Sequence, residues 1–228
     1  KEYTHITGVA QLPPIFALGY HQCKFGYESQ QMVEGVLDKL NATGFPLDVM
    51  WIDIDYLNNH APFDINYTWF PDPQALYNRL HKEGRYLVRT TDPHLPTSPN
   101  HTQYNEAHAL DYFNKNSTGQ EAHASCWPGI SAWPDFFRSD VRSWWAKQFY
   151  YEADPKGWAK NVYIWNDMNE ISAFDQIEAT AGKDWLHFNG TIEERETHSA
   201  YGLMMTAATY QGLLERDSYS LRPFILTR

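Results

Sequence analysis

The sequence predicts an α/β fold, namely the N-terminal portion of a (β/α)8 TIM barrel with an insertion after its third strand. Short apolar runs rich in β-branched and aromatic residues alternate with segments whose apolar residues recur at helical spacing. Such alternation predicts parallel strands joined by right-handed helical crossovers. No glycine-rich phosphate loop follows a predicted strand, which favours a barrel over a nucleotide-binding doubly wound sheet.

The first elements are marked by proline, serine and glycine. Residues 1–14 form a leading segment that ends in a double proline, which excludes a helix there and predicts an extended chain. Residues 16–22 are predicted to be the first strand, ending in polar groups. A helix then runs from the N-cap candidate Ser29 to about Leu40, and Gly44 marks its exit.

The second strand and the helix after it carry clear signals. Residues 49–56 are apolar first and acidic last, so they predict a strand that ends in carboxylates. Asp72 is the predicted N-cap of the next helix, a proline takes its first position, and Gly84 is its stop.

The regular alternation of predicted strands and helices is interrupted after the third predicted strand, residues 86–91. Residues 95–138 carry Pro, Asn, Ser and His with little periodicity, and a connection of this length indicates a functional lid or a small subdomain. Beyond it the pattern predicts a helix over residues 139–151, a strand over 161–168, a second irregular stretch over 171–196, a helix over 197–214 and a strand over 224–227.

Five predicted strands cannot close an eight-stranded barrel, because the last strand would leave an unpaired edge. We therefore expect residues 15–228 to be the N-terminal part of a catalytic barrel within a larger protein. The chain stops on a strand at Arg228, and arginine is where trypsin-like proteases cut. The downstream half of the same polypeptide is thus expected as a separate chain that partners this one.

Composition argues against several classes of partner. A net charge of −10 disfavours a nucleic-acid partner. No apolar run reaches the roughly 20 residues of a membrane span. The histidines are scattered without His-x-x-x-His or Cys-x-x-Cys spacing, so neither a metal nor a cofactor is predicted. The two cysteines, Cys23 and Cys126, could pair with each other, stay free or bond outside the chain.

Asn-x-Ser/Thr sequons recur along the chain and favour a protein that passes through the secretory pathway. A single sequon is more often idle than used, but the number found here exceeds chance expectation. The candidate glycosylation sites are Asn41, Asn66, Asn100, Asn116 and Asn189.

Acids follow three predicted strands, and the carboxyl ends of parallel strands meet at one edge. These acids are Asp53 with Asp55, Asp92, and Asp167. Carboxylates at a barrel mouth, in a chain with 16% aromatic residues, suggest glycoside hydrolysis, which needs two carboxyl groups flanking the scissile bond. No Gly-x-Ser-x-Gly elbow occurs, so a serine hydrolase is not indicated.

The strand over residues 161–168 runs into the motif Trp165-Asn166-Asp167-Met168-Asn169-Glu170. Four further stretches keep the same chain order: Leu12-Pro13-Pro14 leading into Leu18-Gly19-Tyr20-His21-Gln22; Trp51-Ile52-Asp53-Ile54-Asp55-Tyr56; Cys126-Trp127-Pro128-Gly129 with Pro134-Asp135-Phe136; and Arg222-Pro223-Phe224-Ile225-Leu226-Thr227-Arg228. Together they resemble glycoside hydrolase family 31, which contains retaining α-glucosidases and α-xylosidases. The resemblance covers nearly the whole chain.

The resemblance implies roles for particular residues. Asp167 matches the nucleophile, which attacks the anomeric carbon and forms a covalent glycosyl ester. Asp53 matches a carboxylate that binds sugar hydroxyls in the first subsite, and Arg228 matches a substrate-binding arginine. The pocket-lining positions are matched by Trp127, Trp165, Met168 and Phe25. The alternatives are structural: a strand-end acid for Asp167, an ion pair or helix cap for Asp53, and core packing for the pocket residues.

Within the family, the segments at residues 20–22 and 126–129 look closest to the branch that trims glucose from N-linked glycans in the endoplasmic-reticulum lumen. That branch implies removal of α-1,3-linked glucose during glycoprotein quality control and a regulatory β subunit as partner. Ile171 stands where the family usually has proline, and Asp55-Tyr56 and Phe25 also depart from the branch. A lysosomal, secreted or digestive-type α-glucosidase, an α-xylosidase, and an inactive carbohydrate-binding homologue therefore remain alternatives.

The family's acid/base lies in a Trp-x-Gly-Asp-Asn-like segment beyond the strand that matches Arg228, and no such segment occurs here. Protonation of the leaving group contributes about 10²–10⁴-fold to such reactions. We therefore expect residues 1–228 alone to be inactive and to need the downstream segment. Hydrolysis of an aryl α-glucoside by this chain at the full enzyme's rate would contradict the expectation.

Overall fold

The computed structural model describes residues 2–228; Lys1, in the leading segment, lies outside the described residues. The described strands are β1 (His21–Gln22), β2 (Val49–Ile52), β3 (Tyr86–Thr91), β4 (Leu95–Pro96), β5 (Ala124–Cys126), β6 (Gly129–Ala132), β7 (Val162–Asn166), β8 (Leu186–His187), β9 (Ile192–Glu193) and β10 (Ile225–Thr227). The described α-helices are α1 (Glu2–Thr7), α2 (Gln30–Thr43), α3 (Pro73–Lys82), α4 (Thr102–Ala109), α5 (Ser139–Lys147), α6 (Glu194–Thr197) and α7 (Tyr201–Arg216).

Five strands form one parallel sheet in the order β1-β2-β3-β7-β10. The order follows the chain, as it does in a barrel, and α2, α3, α5 and α7 lie in the crossovers between successive sheet strands. Parallel pairing puts all five carboxyl ends on the same rim. The predicted alternation of strands and helices is confirmed, and the acids that end these strands are gathered on that rim.

The helix boundaries with strong local signals are confirmed. The Ser29 hydroxyl accepts a hydrogen bond from the Met32 amide at 3.2 Å, and α2 ends at Gly44, which has the left-handed φ of 66°. The Asp72 carboxylate likewise accepts from the Ala75 amide at 3.0 Å at the start of α3. Each cap uses a group within a few residues of the helix end, so sequence alone suffices to place it.

The first two predicted strands are much shorter than expected. Of residues 16–22 only His21–Gln22 is a strand, because Ile15–Leu18 forms a 3-10 turn directly after the double proline. The second strand stops at Ile52 and not at residue 56, because the Asp53 carboxylate accepts from the Ile54 amide at 2.8 Å and starts a 3-10 turn. The leading segment, predicted to be extended, contains the exposed helix α1.

The insertion over residues 95–138 is a small subdomain. It contains a three-stranded antiparallel sheet in the order β4-β6-β5, together with α4. The second irregular stretch contains the β8–β9 hairpin and α6. Lys115 and Leu186 exchange backbone hydrogen bonds at 3.0 and 2.7 Å, so the two irregular stretches are joined to each other beside the rim.

The helices α5 and α7 pack together most closely at Gly212. A Cβ atom at that position would lie 2.4 Å from the Ala146 carbonyl oxygen, so only glycine allows this approach. Trp145 is fully buried in the same contact, and its indole N–H donates to the Thr209 hydroxyl at 3.0 Å. This pair of helices supports β7, the strand that leads into the central motif.

Candidate active site

The strand registers bring the predicted acids to neighbouring positions on one face of the sheet. Thr91 pairs with Asn166, and Thr227 pairs with Asn166 from the other side. The next residue on each strand is therefore at the same level: Asp92, Asp167 and Arg228. Side chains of paired residues on adjacent parallel strands point to the same face. The three side chains thus form one layer at the rim, and Asp92 stands on the strand between those of Asp53 and Asp167.

Asp167 sits where β7 turns sharply. The preceding Asn166 is buried, and its side-chain amide donates a hydrogen bond to the Thr209 hydroxyl at 3.2 Å. The following Met168 has a φ of 53°, in the left-handed region. A rigid strand end below and a tight turn above hold the Asp167 carboxylate in place. Its side chain is 15% exposed, so it is open to a substrate at the rim.

Arg228 is the cationic partner of this layer. Its Nη1 lies 3.5 Å from Asp167 Oδ1, and its Nη2 lies 3.2 Å from Glu170 Oε1. Nη1 also contacts Met168 Sδ at 3.1 Å, so the buried Met168 lies beneath the guanidinium. The Arg228 amide donates to the Asn166 carbonyl at 3.2 Å, which fixes the backbone of the arginine relative to β7.

Asp53 is partly exposed at the end of β2. Burial raises its pKa above the ordinary aspartate value; the hydrogen bond from the Ile54 amide opposes the shift, and the negative charges of Asp167 and Asp55 add to it. Asp55 itself accepts from the Gly26 amide at 2.8 Å, which ties the loop after β1 to the end of β2.

The aromatic residues of the predicted pocket occupy two kinds of position. Trp165 is half-buried on the face that carries Asp167, and its ring meets Trp51 edge to face at 5.7 Å. Trp127 is 44% exposed between β5 and β6 of the insertion, and the centroid of its ring lies 5.1 Å from that of Phe174. Phe25 is 61% exposed on the loop after β1. The core-packing alternative thus fits Trp165 in part and does not fit Trp127 or Phe25.

Two clefts flank Arg228. One, of about 480 Å³, lies on the side of Met168, Ser172 and Phe174. The other, of about 600 Å³, lies on the side of Asn169, Gly202 and Thr227. Both include Glu170, to which sequence reasoning gave no role although it stands inside the central motif. Sequence reasoning likewise gave no individual role to Asp92, although it follows a strand just as Asp53 does.

The candidate glycosylation sites and the cysteines make up the remaining sequence candidates. Asn41, Asn100 and Asn189 are exposed, whereas Asn66 and Asn116 are half-buried. Both cysteines are free, Cys23 exposed and Cys126 buried. Over residues 2–228, no group of three or more His, Cys, Asp or Glu side chains is arranged to hold a metal ion. Within the same range, no helix has the length and apolar character needed to cross a membrane.

Comparison with known proteins matches this geometry to a family. A model of the glycosyl hydrolases family 31 TIM-barrel domain matches residues 10–228. The chain is 38% identical over 228 residues to a probable glucan 1,3-alpha-glucosidase from Oryza sativa subsp. japonica, across all of this chain and 25% of that relative.

Solved structures agree. A crystal structure of glucosidase II alpha subunit in its alpha3-Glc2-bound form superposes with a TM-score of 0.95 at 38% identity, over 100% of this chain and 24% of that one. A crystal structure of an ER glucosidase II heterodimeric complex, of catalytic subunit and the binding domain of regulatory subunit, gives 0.89 at 39% identity, over 93% of this chain and 23% of that chain.

The chain spans about a quarter of the length of these relatives. The match to the TIM-barrel model confirms the predicted fold class, with five parallel strands of the barrel present in residues 2–228. The chain therefore belongs to glycosyl hydrolase family 31 and forms part of that family's TIM-barrel domain.

Proposed function

We propose that this chain carries the nucleophile half of a retaining α-glucosidase that removes terminal α-linked glucose from oligosaccharides. The observation that carries the proposal is the layer at the rim, in which Asp167 stands on a rigid strand end with Arg228 as its cationic partner. A carboxylate held this way is oriented for attack and cannot rotate freely away from the substrate.

In the first step an Asp167 oxygen attacks the anomeric carbon of an α-glucoside. The bond from that carbon to the leaving oxygen breaks, and the leaving oxygen takes a proton from a general acid supplied by the rest of the protein. In the second step water attacks the anomeric carbon of the β-glucosyl ester and gives its proton to the same group, which now acts as a base. The ester bond to Asp167 breaks, which frees Asp167 and restores the α configuration. Asp53 would accept hydrogen bonds from sugar hydroxyls throughout, and Arg228 would balance the charge of Asp167 and Glu170.

The finer proposal is that the substrate is the α-1,3-linked glucose of N-glycans, in the endoplasmic-reticulum lumen. Two relatives support it: the rice protein is named a glucan 1,3-alpha-glucosidase, and a solved relative is an ER heterodimer. A regulatory subunit is proposed as partner on the same ground, together with the downstream part of the polypeptide. The exposed Trp127 and Phe174 offer a platform for the sugar that follows the cleaved bond.

Trapping the covalent intermediate tests the proposal. The full-length protein, incubated with a mechanism-based glucosyl inactivator and digested, should yield one labelled peptide with the label on Asp167. No label on intact, folded protein would favour a carbohydrate-binding homologue. Comparing rates on a Glc–Man glycan, maltose and isoprimeverose then separates the N-glycan enzyme from a lysosomal-type α-glucosidase and an α-xylosidase.

Replacing Asp53 with asparagine should lower kcat/KM by about 10–100-fold, because a charged hydrogen bond to substrate contributes about 1.5–3 kcal/mol. The pKa of Asp53 is raised, so the carboxylate protonates and loses its negative charge at a higher pH than an ordinary aspartate does. The wild-type kcat/KM should therefore fall on the acid side of that raised pKa, and this limb should weaken in Asp53→Asn. Equal profiles for the two proteins would exclude Asp53 from substrate binding.

Glycosylation at Asn100 is expected when the protein is made in the secretory pathway, since this sequon is exposed at the start of α4. Asn100→Gln should remove one glycan, seen as a smaller mobility shift on treatment with an N-glycosidase. Thr102→Ala removes the same sequon without changing the asparagine and serves as the matched variant. If neither variant alters the shift, Asn100 carries no glycan.

A further inference from the structure

A chain of three buried side chains runs from the insertion to the rim. The Cys126 Sγ lies 3.3 Å from His94 Nδ1, and His94 Nε2 lies 3.4 Å from Asp92 Oδ2. The residues are 5%, 0% and 1% exposed, in that order. Cys126 ends β5 of the insertion, whereas Asp92 ends β3 of the parallel sheet, so the chain joins the small subdomain to the site.

The protonation states of Cys126 and His94 bear on where the His94 ring proton lies. Burial raises the pKa of the Cys126 thiol to about 12, so it keeps its S–H. Burial lowers the pKa of His94 to about 3, so its ring is neutral and carries one N–H. With the Cys126 S–H as donor to Nδ1, the ring proton stands on Nε2, which faces Asp92 Oδ2 at 3.4 Å without a well-aligned hydrogen bond.

Asp92 has acidic neighbours on both sides. It stands level with Asp167 and on the strand next to that of Asp53, and Glu170 lies beyond Asp167. Arg228 is occupied by Asp167 and Glu170. The Thr90 hydroxyl is 3.5 Å from Asp92 Oδ1, and Asp92 Oδ2 has no well-aligned hydrogen bond in this buried place.

Asp92 could be an ionised carboxylate or an uncharged carboxyl group, and the neighbouring charges disfavour the ionised form. A third carboxylate in this layer would repel Asp53 and Asp167, and burial first, then those two charges, raise the pKa of Asp92 well above the ordinary value. An uncharged carboxyl group instead has one O–H to donate. A donor beside a carboxylate stabilises its ionised form.

We propose that Asp92 is a positioning residue of this reaction: it is an uncharged carboxyl group, oriented by its contacts with His94 and Cys126, that donates its one hydrogen bond to one of the ionised carboxylates beside it. The inference rests on the proposed role of Asp167 as nucleophile. The insertion, through Cys126, thereby sets the environment of the nucleophile without touching the substrate at this point.

The test is the pH profile of kcat/KM for an aryl α-glucoside, measured on the full-length protein. Asp92→Asn replaces the O–H by an amide N–H and should leave the acid limb in place, with kcat/KM within about threefold of wild type. Asp92→Ala removes the donor and should move the acid limb to higher pH by about one unit. Asp72→Asn, the same change at a surface helix cap, is the matched control and should leave the profile unchanged.

Two outcomes overturn the proposal. If Asp92→Asn moves the acid limb to lower pH, Asp92 is an anion in the wild type, because the substitution has removed a repelling charge. If Asp92→Ala lowers only the thermal stability and leaves the limb in place, the residue is merely structural.

The cysteine end is tested with Cys126→Ser, which keeps a donor, and Cys126→Ala, which does not. The alanine variant should reproduce part of the shift of the acid limb to higher pH, and the serine variant should not. Equal profiles for the two variants would mean that Cys126 does not act on Asp92 through His94.

A readout independent of activity is the ¹⁵N spectrum of histidine-labelled protein, in which His94 should stay neutral with its proton on Nε2 at about pH 5. A protonated His94 at about pH 5 would contradict the proposed orientation of Asp92 by His94 and Cys126. A wild-type protein that is inactive and unlabelled at Asp167 instead disproves the proposed function.

Discussion

Replacing Asp167 with alanine in the full-length protein should lower kcat by about 10⁴-fold or more while the fold is retained. Without this carboxylate no covalent ester forms, and Arg228 is left facing Glu170 alone. Steady-state hydrolysis of an aryl α-glucoside measures the loss. A circular-dichroism melting curve confirms that the variant is folded, since Asp167 is partly exposed and its replacement opens no cavity.

A small external nucleophile separates a missing nucleophile from a damaged site. With α-glucosyl fluoride and azide, Asp167→Ala should form β-glucosyl azide, because azide takes the place of the carboxylate on the same face of the sugar. Asp55→Asn, a change in a neighbouring rim acid that no role in bond-making has been given, should show no such product. If Asp167→Ala retains more than about a tenth of the wild-type kcat, Asp167 is not the nucleophile.

Replacing Trp145 with alanine should destabilise the protein by about 3–5 kcal/mol, the usual cost of emptying a buried tryptophan site. The indole meets the rings of Phe136 and Phe63, with centroid distances of 5.0 and 5.1 Å, so its removal leaves a cavity beside α5. It also removes one of the two donors to the buried Thr209 hydroxyl. Thr209 in turn holds Asn166, so the loss extends to the strand end that carries Asp167.

Denaturant unfolding of the full-length protein, followed by tryptophan fluorescence of the transition that includes this domain, measures the change. Trp145→Phe is the matched variant: it keeps an aromatic ring, loses the N–H, and should cost less than half as much. A loss below about 1 kcal/mol for Trp145→Ala would mean that the neighbouring side chains collapse into the space.

The parts of the fold that could be predicted are those whose causes lie close together in sequence. Ser29 and Asp72 each start a helix through the amide three residues on, and Gly44 ends a helix through its own backbone conformation. The alternation of strands and helices is likewise a local pattern. Asp53 and Asp167 could be named as site candidates because each follows an apolar strand in a recognisable motif.

What could not be predicted depends on contacts between distant residues. Asp92 looks like any strand-end acid until the fold places His94 between it and Cys126, which is 32 residues from His94 in sequence. The join between the two irregular stretches depends on Lys115 and Leu186, and neither segment has a periodic pattern. The early end of the second strand depends on the Asp53 side chain competing for a backbone amide, which strand propensity does not capture.

The strand registers also decide how the chain tolerates changes in length. One residue inserted within β7 would turn Asp167 to the opposite face of the sheet, because successive side chains alternate. The excursion between β3 and α5 is free of this constraint, since β3 and β7 pair directly whatever lies between them. Insertions and deletions can therefore accumulate in the subdomain over residues 95–138, which carries Trp127, while the spacing around Asp167 stays fixed. Under the proposed roles of Trp127 and Asp167, descendants of such a sequence can change which sugar binds beside the insertion without altering the nucleophile.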